Sequence, residues 1–173
     1  EQTQPRPSDM ALGRGLQVSR GASVEVVRGL LEANHEVGVL VSSEGTVVTL
    51  EDVAITNTQP RPSDRAWGRA LVVEGGASVE VVRGLIDHNH EGGVFAAEQG
   101  TVVTLEDVAI TNTRPRQSNM KAGRGLAVQS GATTQVVRGR IDQNHELGVY
   151  ASGEGTVVLL EDVAITNTQP EQS

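Results

Sequence analysis

The residues best suited to chemistry form a triplet, found as Asn34-His35-Glu36, Asn89-His90-Glu91 and Asn144-His145-Glu146. An imidazole beside a carboxylate can bind a metal or move protons near neutral pH. The spacing argues against both. The copies recur every 55 residues, and if each unit makes two turns of a stacked coil, equivalent side chains stand about 9.6 Å apart. Zinc–nitrogen bonds are about 2.1 Å long, so one ion cannot gather them. Catalysis also needs unlike neighbours, which an unvaried repeat does not supply. The triplets are therefore expected to be turns, with Asn accepting left-handed backbone and bonding its own chain. No catalytic residue, metal or cofactor is expected. His88 beside His90 is the one irregularity, a place for an adventitious metal.

Three further patterns invite a chemical reading. Arg28, Asp52, Arg83, Asp107, Arg138 and Asp162 fall at one position of successive coils with alternating sign. Opposite charges on neighbouring strands contribute about 0.2–1 kcal/mol each, so this column is expected to control register. Thr-Asn-Thr recurs at 56–58, 111–113 and 166–168. It resembles the threonine ranks of ice-binding solenoids, but its sparse spacing favours hydrogen bonding at strand ends. Finally, the segments 4–14, 59–69 and 114–124 carry nine basic residues, Arg14, Arg69 and Arg124 among them, against Asp9 and Asp64. They hold a net +7, which leaves −15 for the rest of a chain of net −8. Stacked in register, they predict a basic ridge on an acidic rod. Beside it runs an outward column of Gln17, Leu40, Val72, Phe95, Ala127 and Tyr150, with Trp67 in a neighbouring loop. The candidate ligand face is thus Leu40, Phe95, Tyr150, Trp67, Arg14, Arg69 and Arg124, suited to an anionic sugar chain.

The elements that position these residues follow from the repeat. Gln4-Pro5-Arg6-Pro7-Ser8-Asp9 returns as Gln59-Pro60-Arg61-Pro62-Ser63-Asp64 and, altered, as 114–119. The units are 4–58, 59–113 and 114–168, with 169–173 opening a fourth, in one domain over 1–173. A fixed register of this kind is solenoid behaviour. Within a unit, Gly15-Leu16-Gln17-Val18 and Gly38-Val39-Leu40-Val41 begin related coils, so the chain holds six. Apolar residues alternate with period two in short runs broken by Gly and Asn, the pattern of half-buried strands. Each strand is too short to bury a face alone, and a coil about 4.8 Å away must complete it. Six coils give a rod about 29 Å tall. The inward residues are expected to be Leu16, Val18, Val24, Val26, Leu31, Val39, Val41, Val48, Leu50, Ile55 and their repeats.

Val27-Arg28-Gly29-Leu30-Leu31-Glu32-Ala33-Asn34, followed by Gly38-Val39, resembles the parallel β-helix repeat of pectate-lyase-like proteins, as do the copies at 82–89 and 137–144. The resemblance covers nearly the whole chain. It implies an all-β, right-handed parallel β-helix of a kind found in secreted polysaccharide lyases, hydrolases, adhesins and surface proteins. The acidic metal ligands and basic residue that serve the lyases have no counterpart here, and none is carried over.

Composition narrows the function. Aromatics make up 2% of the chain and Cys is absent, so thin Val/Ile/Leu/Ala layers replace aromatic anchors. Net negative charge argues against nucleic acid, and no apolar run approaches a membrane span. The expected function is a non-catalytic structural or interaction segment of a secreted or surface bacterial protein, or a repeat scaffold. The alternative is a carbohydrate-binding or polysaccharide-cleaving β-helix using the outward column and the basic loops. No amphipathic cap precedes Gly15 or follows Thr168. Both ends are therefore expected to expose strand edges and an apolar layer, and to associate end to end.

Overall fold

The computed structural model describes residues 13–170, all strand, turn and connecting backbone. Arg6 and Asp9 of the first basic segment, and 171–173 of the fourth repeat, lie outside the described residues. Each coil contributes three strands. They are β1 (Leu16–Ser19), β2 (Ser23–Val27) and β3 (Leu30–Glu32) in the first coil, then β4 (Val37–Ser42), β5 (Val47–Glu51) and β6 (Ala54–Thr56) in the second. The third coil holds β7 (Arg69–Glu74), β8 (Ser78–Val82) and β9 (Leu85–Asp87), the fourth β10 (Gly92–Ala97), β11 (Val102–Glu106) and β12 (Ala109–Thr111). The fifth holds β13 (Arg124–Gln129), β14 (Thr133–Val137) and β15 (Arg140–Asp142), the sixth β16 (Val149–Ser152), β17 (Val157–Glu161) and β18 (Ala164–Thr166). Every third strand joins one of three six-stranded sheets, and all pairings are parallel. The molecule is an all-β parallel β-helix.

The corners explain the sequence punctuation. Arg28, Asp52, Arg83, Asp107, Arg138 and Asp162 all turn the chain between the second and third strands with φ of 52–56°. The charge column is thus also a column of left-handed corners, a conformation that polar residues tolerate better than β-branched ones. A second such corner follows the third strand, at Ala33, Asn57, His88, Asn112, Gln143 and Asn167.

The core is the apolar interior of the coils. Val39, Leu50, Leu71, Val81, Leu105 and Leu126 are at most 1% exposed. Val18, Val41, Val48 and Ile55 join this cluster, while Leu16, Val24, Val26 and Leu31 of the first coil pack against it partly exposed. Threonines that periodicity does not reveal, buried at Thr46 and Thr101 and half-buried at Thr156, tie successive coils together. Thr46, Thr101 and Thr156 each accept from a glycine N–H of the preceding coil, at Gly21, Gly76 and Gly131, over 3.0 Å. Each hydroxyl also donates to the carbonyl four residues back, at Ser42, Ala97 or Ser152. Buried polar groups are retained where they are paired in this way.

Candidate binding site on the loop face

The triplets and the basic loops, separate candidates in the sequence, form one assembly. Asn89 is fully buried. Its Oδ1 accepts from the Thr58 N–H at 2.9 Å, and its Nδ2 donates to the Ile55 carbonyl at 2.9 Å and the Asp87 carbonyl at 3.1 Å. Asn144 repeats this with Thr113 and Ile110, each at 3.0 Å. The asparagines therefore mainly bond the preceding coil. The left-handed residues are those flanking the Asn-His pair, such as His88 and Glu91, because the buried amide needs extended backbone to reach across.

His90 is 5% exposed, with Nδ1 3.1 Å from the Thr58 carbonyl. His145 meets the Thr113 carbonyl at 2.9 Å. Burial lowers the His90 pKa below the ordinary imidazole value, beyond what the carbonyl hydrogen bond restores. His90 is thus a neutral donor that anchors backbone. His88 instead faces Asp87, at 2.5 Å. Among the described residues, no group of three His, Asp or Glu side chains is placed to hold a metal ion.

The triplet backbone clamps both ends of each long loop. Gln59 N–H donates to Asn34 O at 2.7 Å, Glu36 N–H donates to Gln59 O at 2.9 Å, and the Gly68 and Arg69 amides donate to Glu36 O. Glycine is required at 68 and 123, where φ is 99° and an added Cβ would lie 2.7 Å from the Cβ of His90 or His145.

The glutamates hold the arginines of the basic loops. Arg14 pairs with Glu36 at 2.9 Å, and Arg124 with Glu146 at 2.7 Å. Glu91, 5% exposed, takes Arg69 of its own unit and Arg116 of the next loop, the latter at 2.7 Å. Burial pushes the Glu91 carboxyl up, but Arg116 and Arg69 more than offset this and leave it below the usual carboxylate range. The ridge is therefore a column of paired charge at its base.

The outward column lies under this layer. Gln17, Leu40, Val72, Phe95, Ala127 and Tyr150 are register neighbours in the first sheet. Leu40, Val72 and Ala127 are at most 8% exposed. Trp67 and Phe95 pack on the cluster of Val37, Leu40 and Val72. The Arg69 guanidinium sits 4.5 Å from the Trp67 ring centre and 4.2 Å from that of Phe95, and Arg124 sits 4.1 Å from that of Tyr150. Such stacking steadies both partners by cation–π attraction. The aromatic side chains of this face thus support loops, and the opening that remains is a cavity of about 420 Å³ beside Phe95, Ala122, Ala127 and Arg124.

In the corner column, Arg83 donates to Asp52 at 2.7 Å and also pairs with Glu51, and Arg138 does the same with Asp107 at 2.8 Å and Glu106. The arginine hydrogen bonds hold Asp52 and Asp107 below their ordinary pKa. Both pairs span the joint between one unit and the next. Among the described residues, Arg28 and Asp162 have no ion pair. The first two residues of the Thr-Asn-Thr motif have their own partners in the second and third units: Thr111 and Asn112 donate to Asp87, Thr166 and Asn167 to Asp142. Thr58 and Thr113 are fully buried, so the motif offers no flat rank of hydroxyls.

Fold and face together define a β-solenoid repeat protein whose loops are clamped by buried polar ladders. Compared with known proteins, the chain matches no protein-family model, no curated protein and no solved structure.

Proposed function

We propose that the chain is a non-catalytic structural and interaction β-solenoid that associates with further copies of itself, head to tail. The observation that carries this is the sixth coil. Its inward residues Leu160 and Ile165 are 43% and 45% exposed, whereas Leu105 and Ile110, at the same places two coils earlier, are fully buried. An uncovered apolar layer framed by unpaired strand edges is a template for another chain.

The first coil offers the complement. Leu16, Val24, Val26 and Leu31 form its partly exposed apolar layer. At each internal joint an arginine caps a Glu-Asp pair of the coil below, as Arg83 does for Glu51 and Asp52. A second copy stacked in the same register would set its Arg28 on Glu161 and Asp162. Such a contact joins unlike ends and does not close, so it builds open stacks. The architecture and the repeat motif at 82–89 support kinship with the pectate-lyase-like β-helix proteins. The part that the triplets at 89–91 and 144–146 play in clamping the loops supports the non-catalytic reading.

Sedimentation velocity over a wide concentration range tests the reading. Mass should rise in whole multiples of 18.2 kDa without an upper limit, and Leu160→Lys should hold the chain as a monomer. A monomer at every concentration, or a fixed dimer indifferent to Leu160→Lys, would refute it.

A further inference from the structure

The long loops of the second and third units follow the same path. Trp67 and Ala122 hold φ of 69° and 62°, and the glycines after them hold 99° each. They differ in what they lay on the strand face. In the second unit the indole rests on Val37, Leu40 and Val72, with Arg61 and Arg69 at 5.2 and 4.5 Å from its centre. At the third unit's loop Ala122 stands in place of Trp67 and Ala127 of Val72, and on the coil beneath it Gly92 stands in place of Val37 and Phe95 of Leu40. Three of these four changes remove volume at one spot. The result is the cavity of about 420 Å³, lined by all four replacements and within the size range of small-molecule sites. Arg116 and Arg124, the counterparts of Arg61 and Arg69, also line it. The third loop thus keeps the two arginines that flank the indole of the second, while Ala122 supplies no ring in its place.

The charge of the slot differs as well. In the second unit Asp64 pairs with Arg61 at 2.5 Å. Its counterpart is the neutral Asn119, and Ala66 gives way to Lys121. Both replacements line the cavity. Relative to the slot that holds Trp67, this one loses a carboxylate and gains an ammonium. Glu91 and Glu146 also line it, but each is engaged by arginine.

We propose that this slot binds a small aromatic carboxylate, its ring lying on Phe95 and Ala127 beside the Arg124 guanidinium and its carboxylate turned toward Lys121 and Arg116. Ring and anion each answer to a separate observation: the ring to the indole of the second unit, the anion to the exchange of Asp64 and Ala66 for Asn119 and Lys121.

Three probes separate the two requirements: indole-3-acetate, indole and acetate, followed by amide chemical shifts at Gly92, Ala122 and Ala127. Indole-3-acetate should saturate at one per chain, indole should bind at least about tenfold more weakly, and acetate should leave these amides unmoved. Ala122→Trp restores the second unit's own filling on a backbone that already accepts Trp. It should melt no lower than the parent and lose at least about tenfold in affinity for indole-3-acetate. Lys121→Ala should bring indole-3-acetate close to the affinity of indole and leave indole unchanged, so the proposal stays testable should Ala122→Trp not fold. Absence of any shift up to about 10 mM indole-3-acetate, affinity indifferent to Ala122→Trp, or equal binding of acetate and indole-3-acetate would each overturn it.

Discussion

Leu105 in the fourth coil and Leu160 in the sixth hold the same inward place on equivalent strands, yet one is fully buried and the other 43% exposed. Nothing in their own strands accounts for this. The difference is the coil stacked above, so burial in this molecule belongs to neighbouring coils jointly. Stability should therefore concentrate in coils that are covered on both sides, and a coil covered on one side only should contribute less.

That contrast can be broken most decisively with one charge placed at either site. Val81→Asp in the third coil puts a carboxylate where exposure is 1%, a cost of several kcal/mol that should unfold the middle coils. Leu160→Asp should change stability by less than about 1 kcal/mol, because water still reaches that layer. Parallel thermal melts decide the matter, and similar losses at both positions would remove the distinction between middle and end.

The polar ladders sharpen the same contrast. Asn89→Ala leaves the Thr58 N–H and the Ile55 carbonyl without their partner and should cost about 3 kcal/mol in denaturant titration. On the loop face, Trp67→Ala should cost about 2 kcal/mol, less than a core aromatic because the ring is only partly buried,. It should also open in the second unit a slot that indole partly refills, raising the melting temperature.

The smallest effect is expected from pH. His90 is held below its ordinary pKa of 6.5 by burial, so its contribution is complete above about pH 6.5. It is lost as pH falls toward the depressed folded value, because the unfolded chain takes up the proton first. Glu91, held below 4.5, adds stability above that value which is lost on further acidification,. His90→Gln should flatten the melting-temperature profile between about pH 6.5 and the carboxylate range, leaving the acid limb intact.

How much of this was legible in the sequence follows from where each residue's partners lie. Period two placed Val39, Leu50 and Ile55 inward because strand faces alternate within a strand. It placed Leu160 and Ile165 inward just as well, and only the stacking distinguishes them. The charge column was legible as register, but the choice of Asp52 as the partner of Arg83 was not, since the pairs form at unit joints. The clamp made by Asn89 and Glu91 was hidden because its partners, Thr58, Ile55 and Arg116, lie 25–34 residues away. The covering of Leu40 and Val72 was hidden too, for the loop bearing Trp67 has no periodicity to say where it lies. The readable signals for the slot were the exchanges between aligned repeats, of Trp67 for Ala122 and of Asp64 for Asn119 among them.

Head-to-tail register is tested most directly by disulfide trapping. The chain has no cysteine, so Arg28→Cys and Asp162→Cys can be introduced together. Within one chain these corners are five coil spacings apart, about 24 Å, too far to bridge. Across the proposed joint they would be about 4.8 Å apart, within the reach of a disulfide. Mild oxidation should give a ladder of covalent multimers from the double variant and no ladder from either single variant. Only monomers, or only the like-with-like dimers that each single variant also forms, would contradict head-to-tail stacking.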